Sequence, residues 1–250
     1  MSFGGFGGNA LGKIISIINQ KGGVGKTTTA VNLAAGVGIL GKKVLLVDAD
    51  PQGNSTSGYG INKRELSTSS YDLLVTGARA REAVIHTEFK NVSVIPANID
   101  LAGAEVELIS KNRRESQLKT ALSLIKDEFD YIFIDCPPSL GLITINALTA
   151  SDAFFVPVQC EYYALEGLSQ LIATVRQIKM SYNPELELEG VLLTMFDGRL
   201  NLTQQVVGEI KKYFAKELYK TTVPRGVRLS EAPSYGRPIQ YYDPRCKGAD

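Results

Sequence analysis

Lys21-Gly22-Gly23-Val24-Gly25-Lys26-Thr27-Thr28 lies between an apolar run, Ile14 to Asn19, and a stretch of helix-forming character that starts near Thr27. Glycine at 22, 23 and 25 lets the backbone turn tightly and aim its N–H groups inward, while the helix start adds the positive end of its dipole. Strand, glycine-rich loop and helix in this order form a cradle for polyphosphate, with Val24 and Thr28 completing it. Lys26 is placed to reach the β- and γ-phosphates of a nucleoside triphosphate such as ATP. Thr27 offers a hydroxyl to Mg²⁺, the hard cation that accompanies such a ligand. The ordinary form of the loop has glycine five positions before Gly25, where this chain has Gln20. The match is therefore to the variant KGGxGKT, which carries one additional lysine, Lys21.

The surrounding pattern predicts the fold. Short apolar runs recur at Ile14 to Asn19, Val44 to Asp48, Val92 to Pro96, Tyr131 to Asp135, Phe154 to Val158, Val191 to Thr194 and Thr221 to Pro224. Between them, apolar residues at helical spacing predict core-facing stripes: Leu118, Ala121, Leu122 and Ile125; Leu165, Leu168, Leu171, Ile172, Val175 and Ile178; Val206, Ile210, Tyr213 and Phe214. Near-continuous apolar strands separated by helices imply an α/β fold: a single-domain P-loop NTPase with a deviant Walker A loop and a mostly parallel, doubly wound sheet flanked by helices on both faces. Residues 1–12 hold five glycines and no charged side chain, which suits a flexible lead-in to one domain over 13–250.

Bulk properties narrow the function classes. A chain of 250 residues, 44% hydrophobic and 21% charged, is an ordinary globular composition. It has neither a run long enough to span a membrane nor the layout of a secretory signal, so a cytoplasmic protein is expected. Cys136, Cys160 and Cys246 form no CxxC pair, which argues against zinc or iron–sulfur ligation. His86 is the only histidine, too little for a histidine-based triad or metal centre.

Ligands of such sheets gather beyond the carboxyl ends of the strands. Three chemically suggestive segments follow strands there: the phosphate loop, Asp48-Ala49-Asp50-Pro51-Gln52, and Asp135-Cys136-Pro137-Pro138-Ser139. Asp135 ends an apolar strand, where P-loop enzymes place the acid that orders Mg²⁺ or its waters. Asp48 and Asp50 are separated by one residue, so an extended chain would point them to opposite sides. On that basis Asp48 is expected in the metal shell and Asp50 beside the γ-phosphate, positioning the attacking water. Lys21 precedes the glycines and should point away from its own loop, toward a phosphate bound by a second copy of the chain.

KGGVGKTT, DADPQGN at 48–54, FIDCPPS at 133–139, VPVQCEYYALEGL at 156–168 and PRGVRLSEAPSYG at 224–236 together resemble the ParA/Soj partition ATPases, in the order that family has them. The resemblance runs from about Lys13 to the end of the chain. It implies a Mg²⁺-dependent ATPase with Lys21 as signature lysine, Lys26 as phosphate lysine, Thr27 as metal ligand, Asp50 as hydrolysis residue and Asp135 as Walker B acid. It further implies a nucleotide-sandwich homodimer formed with ATP, sequence-independent binding to double-stranded DNA on the nucleoid, and hydrolysis stimulated by a ParB-like centromere-binding partner. Pro224 and its neighbours would border the adenine; Gly226 stands where many relatives carry asparagine. Relatives usually continue past Lys247-Gly248-Ala249 into a final helix, which the resemblance implies is cut short here.

The charge is consistent with a DNA surface at one end only. Residues 211–250 hold nine Lys or Arg against four acids, although the whole chain carries only +1. Arg199 and Arg228 are the leading expected contacts, with Arg245 and Lys247 behind them. Two alternatives remain: a MinD-like membrane-positioning ATPase, which would need an amphipathic C-terminal helix, and a nucleotide-gated DNA-binding switch that does not hydrolyse.

Overall fold

The computed structural model describes residues 12–161 and 164–249. The strands are β1 (Lys13–Ile17), β2 (Val44–Asp48), β3 (Ile85–His86), β4 (Val92–Ile95), β5 (Tyr131–Asp135), β6 (Ala153–Gln159), β7 (Glu187–Phe196) and β8 (Leu218–Pro224). The helices are α1 (Lys26–Ile39), α2 (Asn54–Gly58), α3 (Ser70–Val75), α4 (Ala80–Ala83), α5 (Leu101–Glu107), α6 (Gln117–Ser123), α7 (Leu142–Ala150), α8 (Ala164–Tyr182), α9 (Asn201–Phe214), α10 (Val227–Glu231) and α11 (Ile239–Tyr242).

One sheet runs in the order β3-β4-β2-β5-β1-β6-β7-β8, and every neighbouring pair is parallel except β3 with β4. This is the expected doubly wound α/β fold. The antiparallel β3 lay outside the expectation because two residues, Ile85 and His86, carry no readable period. Successive side chains of a strand face opposite sides, and the central strands are apolar on both. Ile15 and Ile17 of β1 with Val44 and Leu46 of β2 pack under Ala30, Val31, Ala34 and Val37 of α1. Ile14, Leu45 and Val47 pack on the other face with Leu118, Leu122, Ile143, Leu171 and Ile210 from the helices there.

The expected helix stripes hold with one exception. Leu168, Leu171, Val175 and Ile178 of α8 are buried, as are Val206 and Ile210 of α9, but Tyr213 is 73% exposed. The turn of the helix gives the inward place to Val207 instead. Gly12 is buried, and a Cβ there would lie 2.3 Å from the Phe129 carbonyl, so it belongs to the packed domain. The remainder of the expected lead-in, 1–11, and the Tyr162-Tyr163 pair of the fourth motif lie outside the described residues. No helix among the described residues is long and apolar enough to cross a membrane.

Candidate functional site

Parallel pairing brings the carboxyl ends of three strands together: Asp135 lies level with Ile17 on one side and Asp48 on the other. The phosphate loop leaves β1 at that end. Gly23 and Gly25 have φ of 74° and 89°, a left-handed conformation that glycine adopts at little cost, and Gly25 caps α1. A Cβ at Gly22 or Gly23 would meet nothing within 4 Å, so the cradle is open. The first turn of α1 holds no acidic side chain to oppose an anion. The loop is braced from β7, where the Thr194 hydroxyl donates to the Val24 carbonyl at 2.8 Å. Its start is braced from β6, where Asn19 Nδ2 donates to the Pro157 carbonyl at 2.7 Å.

The two lysines separate cleanly. Lys26 is buried and its Nζ donates to the Lys21 carbonyl at 3.1 Å, across the mouth of the loop. Burial holds its pKa below the usual lysine value, against the opposing pull of Asp135, Cys136 and Asp50. Lys21 lies outside the cradle, half-exposed, with its ammonium paired to Glu161.

Asp135 is fully buried. Its Oδ2 accepts from the Ser55 hydroxyl at 2.8 Å, whereas Oδ1 has no hydrogen-bond partner. Loss of hydration pushes its pKa up to about 7, helped by the charge of Asp48 and opposed by the Ser55 and Thr27 hydroxyls. An orphaned buried carboxylate oxygen costs free energy unless something outside the chain meets it. The residues therefore fit a metal-bound water: Asp135 and Thr27 face the loop, and no group of three or more His, Cys, Asp or Glu among the described residues could hold a metal by itself. A cation here would take its remaining ligands from phosphate and water.

Asp48, expected in the metal shell, is engaged by its own chain. Its Oδ2 accepts from both the backbone N–H and the hydroxyl of Thr56, each at 2.7 Å, and Oδ1 accepts from the Asp50 N–H at 3.2 Å. Fully buried and spent on these bonds, Asp48 pins the segment that follows β2; burial raises its pKa to about 6. The chain is also not extended through Asp50. The Asp50 carbonyl accepts from Gly53 N–H at 2.8 Å, forming a turn with Pro51 at its second position. The charge of Asp50 acts on Lys26, and its Oδ1 accepts from Gln52 N–H at 2.9 Å. Ser55 and Thr56, just beyond the DADPQGN motif, are what fix the two carboxylates.

At the same end of the sheet, Phe196 of β7 pairs with Pro224 of β8. Pro224, Gly226, Arg228, Leu229, Cys246 and Lys247 line a pocket of about 150 Å³. Arg228 and Lys247, expected on a DNA surface, thus stand beside the expected base pocket, and Arg228 is paired with Glu231 at 3.0 Å and Asp243 at 3.5 Å. Arg199 is highly exposed and forks onto both oxygens of Asp197 at 2.8 and 2.6 Å. Arg245 is exposed.

Fold and site together define a P-loop nucleotide-binding protein with a lysine on each side of its glycines. The family described as AAA domain matches residues 12–188. The chain is 60% identical to the sporulation initiation inhibitor protein Soj of Bacillus subtilis, over 96% of this chain and 95% of that protein. It is 52% identical to the chromosome partitioning protein ParA of Myxococcus xanthus, over 96% and 85%. Among solved structures it resembles cobyrinic acid a,c-diamide synthase of Mycobacterium smegmatis, crystallised with an ATP analogue and magnesium: TM-score 0.81, 36% identity, 90% of this chain and 93% of that one. The chain belongs to the ParA/Soj family of chromosome-partitioning ATPases.

Proposed function

We propose that this chain is an ATP-driven DNA-partition switch: Mg²⁺ and ATP join two copies, the dimer binds double-stranded DNA without sequence preference, and a ParB-like centromere-binding partner accelerates hydrolysis and release. The observation that carries this reading is the placement of the two lysines. Lys26 closes the cradle of its own subunit, while Lys21 stands outside it with a half-exposed charged head paired to Glu161 and within reach of solvent.

Phosphoryl transfer asks mainly for positioning and for positive charge on the transition state. In this reading the loop N–H groups of residues 22–28 and the α1 dipole hold the triphosphate, and phosphate oxygens replace the Lys21 carbonyl as partner of Lys26. Thr27 and Asp135 would hold Mg²⁺, which would supply neutralising charge for the phosphates. Asp50 positions and deprotonates the attacking water beside Lys26. Lys21 of one copy adds positive charge to the γ-phosphate of the other. The pocket at Pro224 and Gly226 takes the base. Arg199, Arg228, Arg245 and Lys247 contribute to the DNA surface, where phosphate displaces Asp197 from Arg199 and Glu231 and Asp243 from Arg228. Work on the nucleoid within the cytoplasm follows from this function.

Co-sedimentation with double-stranded DNA in the presence of ATP, ADP or no nucleotide tests it. DNA binding only with ATP is expected. Equal binding in all three conditions, or in none, contradicts the switch.

A further inference from the structure

Lys21 is gripped from two directions by the end of a single strand. Its backbone N–H donates to Asn19 Oδ1 at 2.9 Å, and Asn19 in turn is tied to the carbonyl of Pro157 in β6. Its ammonium pairs with Glu161, two residues beyond that strand. Glu161 is itself held in place: its N–H donates to the Gln159 carbonyl at 2.8 Å, and its own carbonyl accepts from Ala164 N–H at 2.9 Å at the start of α8. The two side chains retain 49% and 46% exposure, so a competing anion can reach the ammonium without unfolding anything.

We infer that Glu161 is a positioning residue: it stores Lys21 on its own subunit until the triphosphate of a second copy displaces it. The inference rests on the cross-subunit reading of Lys21 given above. In the free subunit the ammonium satisfies one carboxylate; in the dimer it meets a phosphoryl group of higher charge, and Glu161 is released to solvent. Storage keeps Lys21 from capturing stray anions and makes dimerisation pay for breaking the pair twice, once per subunit. Exposed pairs of this kind are worth about 1.5- to fivefold in an equilibrium, so two of them oppose dimerisation by roughly 2- to 25-fold. The opposition weakens as salt screens the pair.

The test is the Glu161→Gln protein in sedimentation velocity with Mg²⁺ and a non-hydrolysable ATP analogue, beside wild type, Glu161→Asp and Lys21→Ala. The protein concentration for half-dimerisation is expected to fall about 2- to 25-fold in Glu161→Gln. Glu161→Asp, which keeps the charge, should stay near wild type, and analogue affinity at monomeric concentrations should be the same in wild type, Glu161→Gln and Glu161→Asp. An unchanged or higher half-dimer concentration in Glu161→Gln overturns the inference. So does an equal gain in Glu161→Asp. Normal dimerisation of Lys21→Ala would instead defeat the cross-subunit reading, whereas loss of dimers in Lys21→Ala with no gain in Glu161→Gln would defeat only the storage role.

Discussion

Raising the pH should weaken the nucleotide-free protein through Asp135. Its ordinary pKa of 3.8 is lifted to about 7 by burial and the neighbouring Asp48. A carboxyl whose folded value lies above its unfolded value favours folding most below the unfolded value and loses that contribution as pH rises through the folded one. Between about pH 6 and pH 8, the proton on a group titrating near 7 is lost from the native state while the unfolded chain is already ionised, which removes about 1.4 kcal/mol. Asp48, raised to about 6, adds a smaller loss of the same sign, and because the two interact their protons leave as a pair. Urea unfolding at the two pH values reads the effect directly. Asp135→Asn keeps an acceptor for the Ser55 hydroxyl and removes the titration, so most of the pH dependence should vanish in that variant. Identical pH slopes in wild type and Asp135→Asn, or a wild type that gains stability with pH, would refute the reasoning.

Other consequences are as direct. Thr56→Val removes a hydroxyl that donates to Asp48 at 2.7 Å and accepts from Ala97 N–H at 2.9 Å; unfolding should show a loss of about 3 kcal/mol, and a change within about 0.5 would mean Asp48 is not anchored there. Asp50→Ala should leave ATP and DNA binding intact while slowing turnover at least about 100-fold, as steady-state phosphate release would report. Arg199→Glu should weaken DNA binding at low salt without altering ATP affinity, because Arg199 is highly exposed and lies outside the pocket at Pro224; an unaffected gel shift would place the DNA surface elsewhere.

The parts of this molecule that sequence discloses are those written locally. The glycines of 22–25 and their flanking lysines form one unbroken word, and Tyr131 to Asp135 reads as an apolar strand ended by an acid because both faces of β5 are buried. The parallel sheet follows from runs of this kind. What stayed hidden depends on pairing across distance or on turns. Nothing in Asp48-Ala49-Asp50 announces that the chain bends at Pro51 and brings Thr56 back onto Asp48, so the bonds that hold Asp48 within its own chain were not legible. Glu161 is 140 residues from Lys21 and meets it only because β6 lies beside β1. Tyr213 keeps the helical period, yet it sits at the edge of an inward arc made by Thr203, Val206, Val207, Ile210 and Phe214, which leaves it in solvent. Arg199 and Arg228 read as free cations, but each has an acid within four residues that folds onto it.

The central claim, that Lys21 acts on a nucleotide held by the other copy, is tested most directly by mixing two inactive proteins. Lys21→Ala retains Asp50 but lacks the donated lysine; Asp50→Ala retains Lys21 but lacks the water-positioning acid. If the lysine crosses, a mixed dimer contains one complete site, and ATP hydrolysis should appear on mixing and grow with the fraction of Asp50→Ala until mixed dimers are maximal. If turnover of the mixture stays at the sum of the two separate rates, Lys21 serves its own subunit and the account is contradicted.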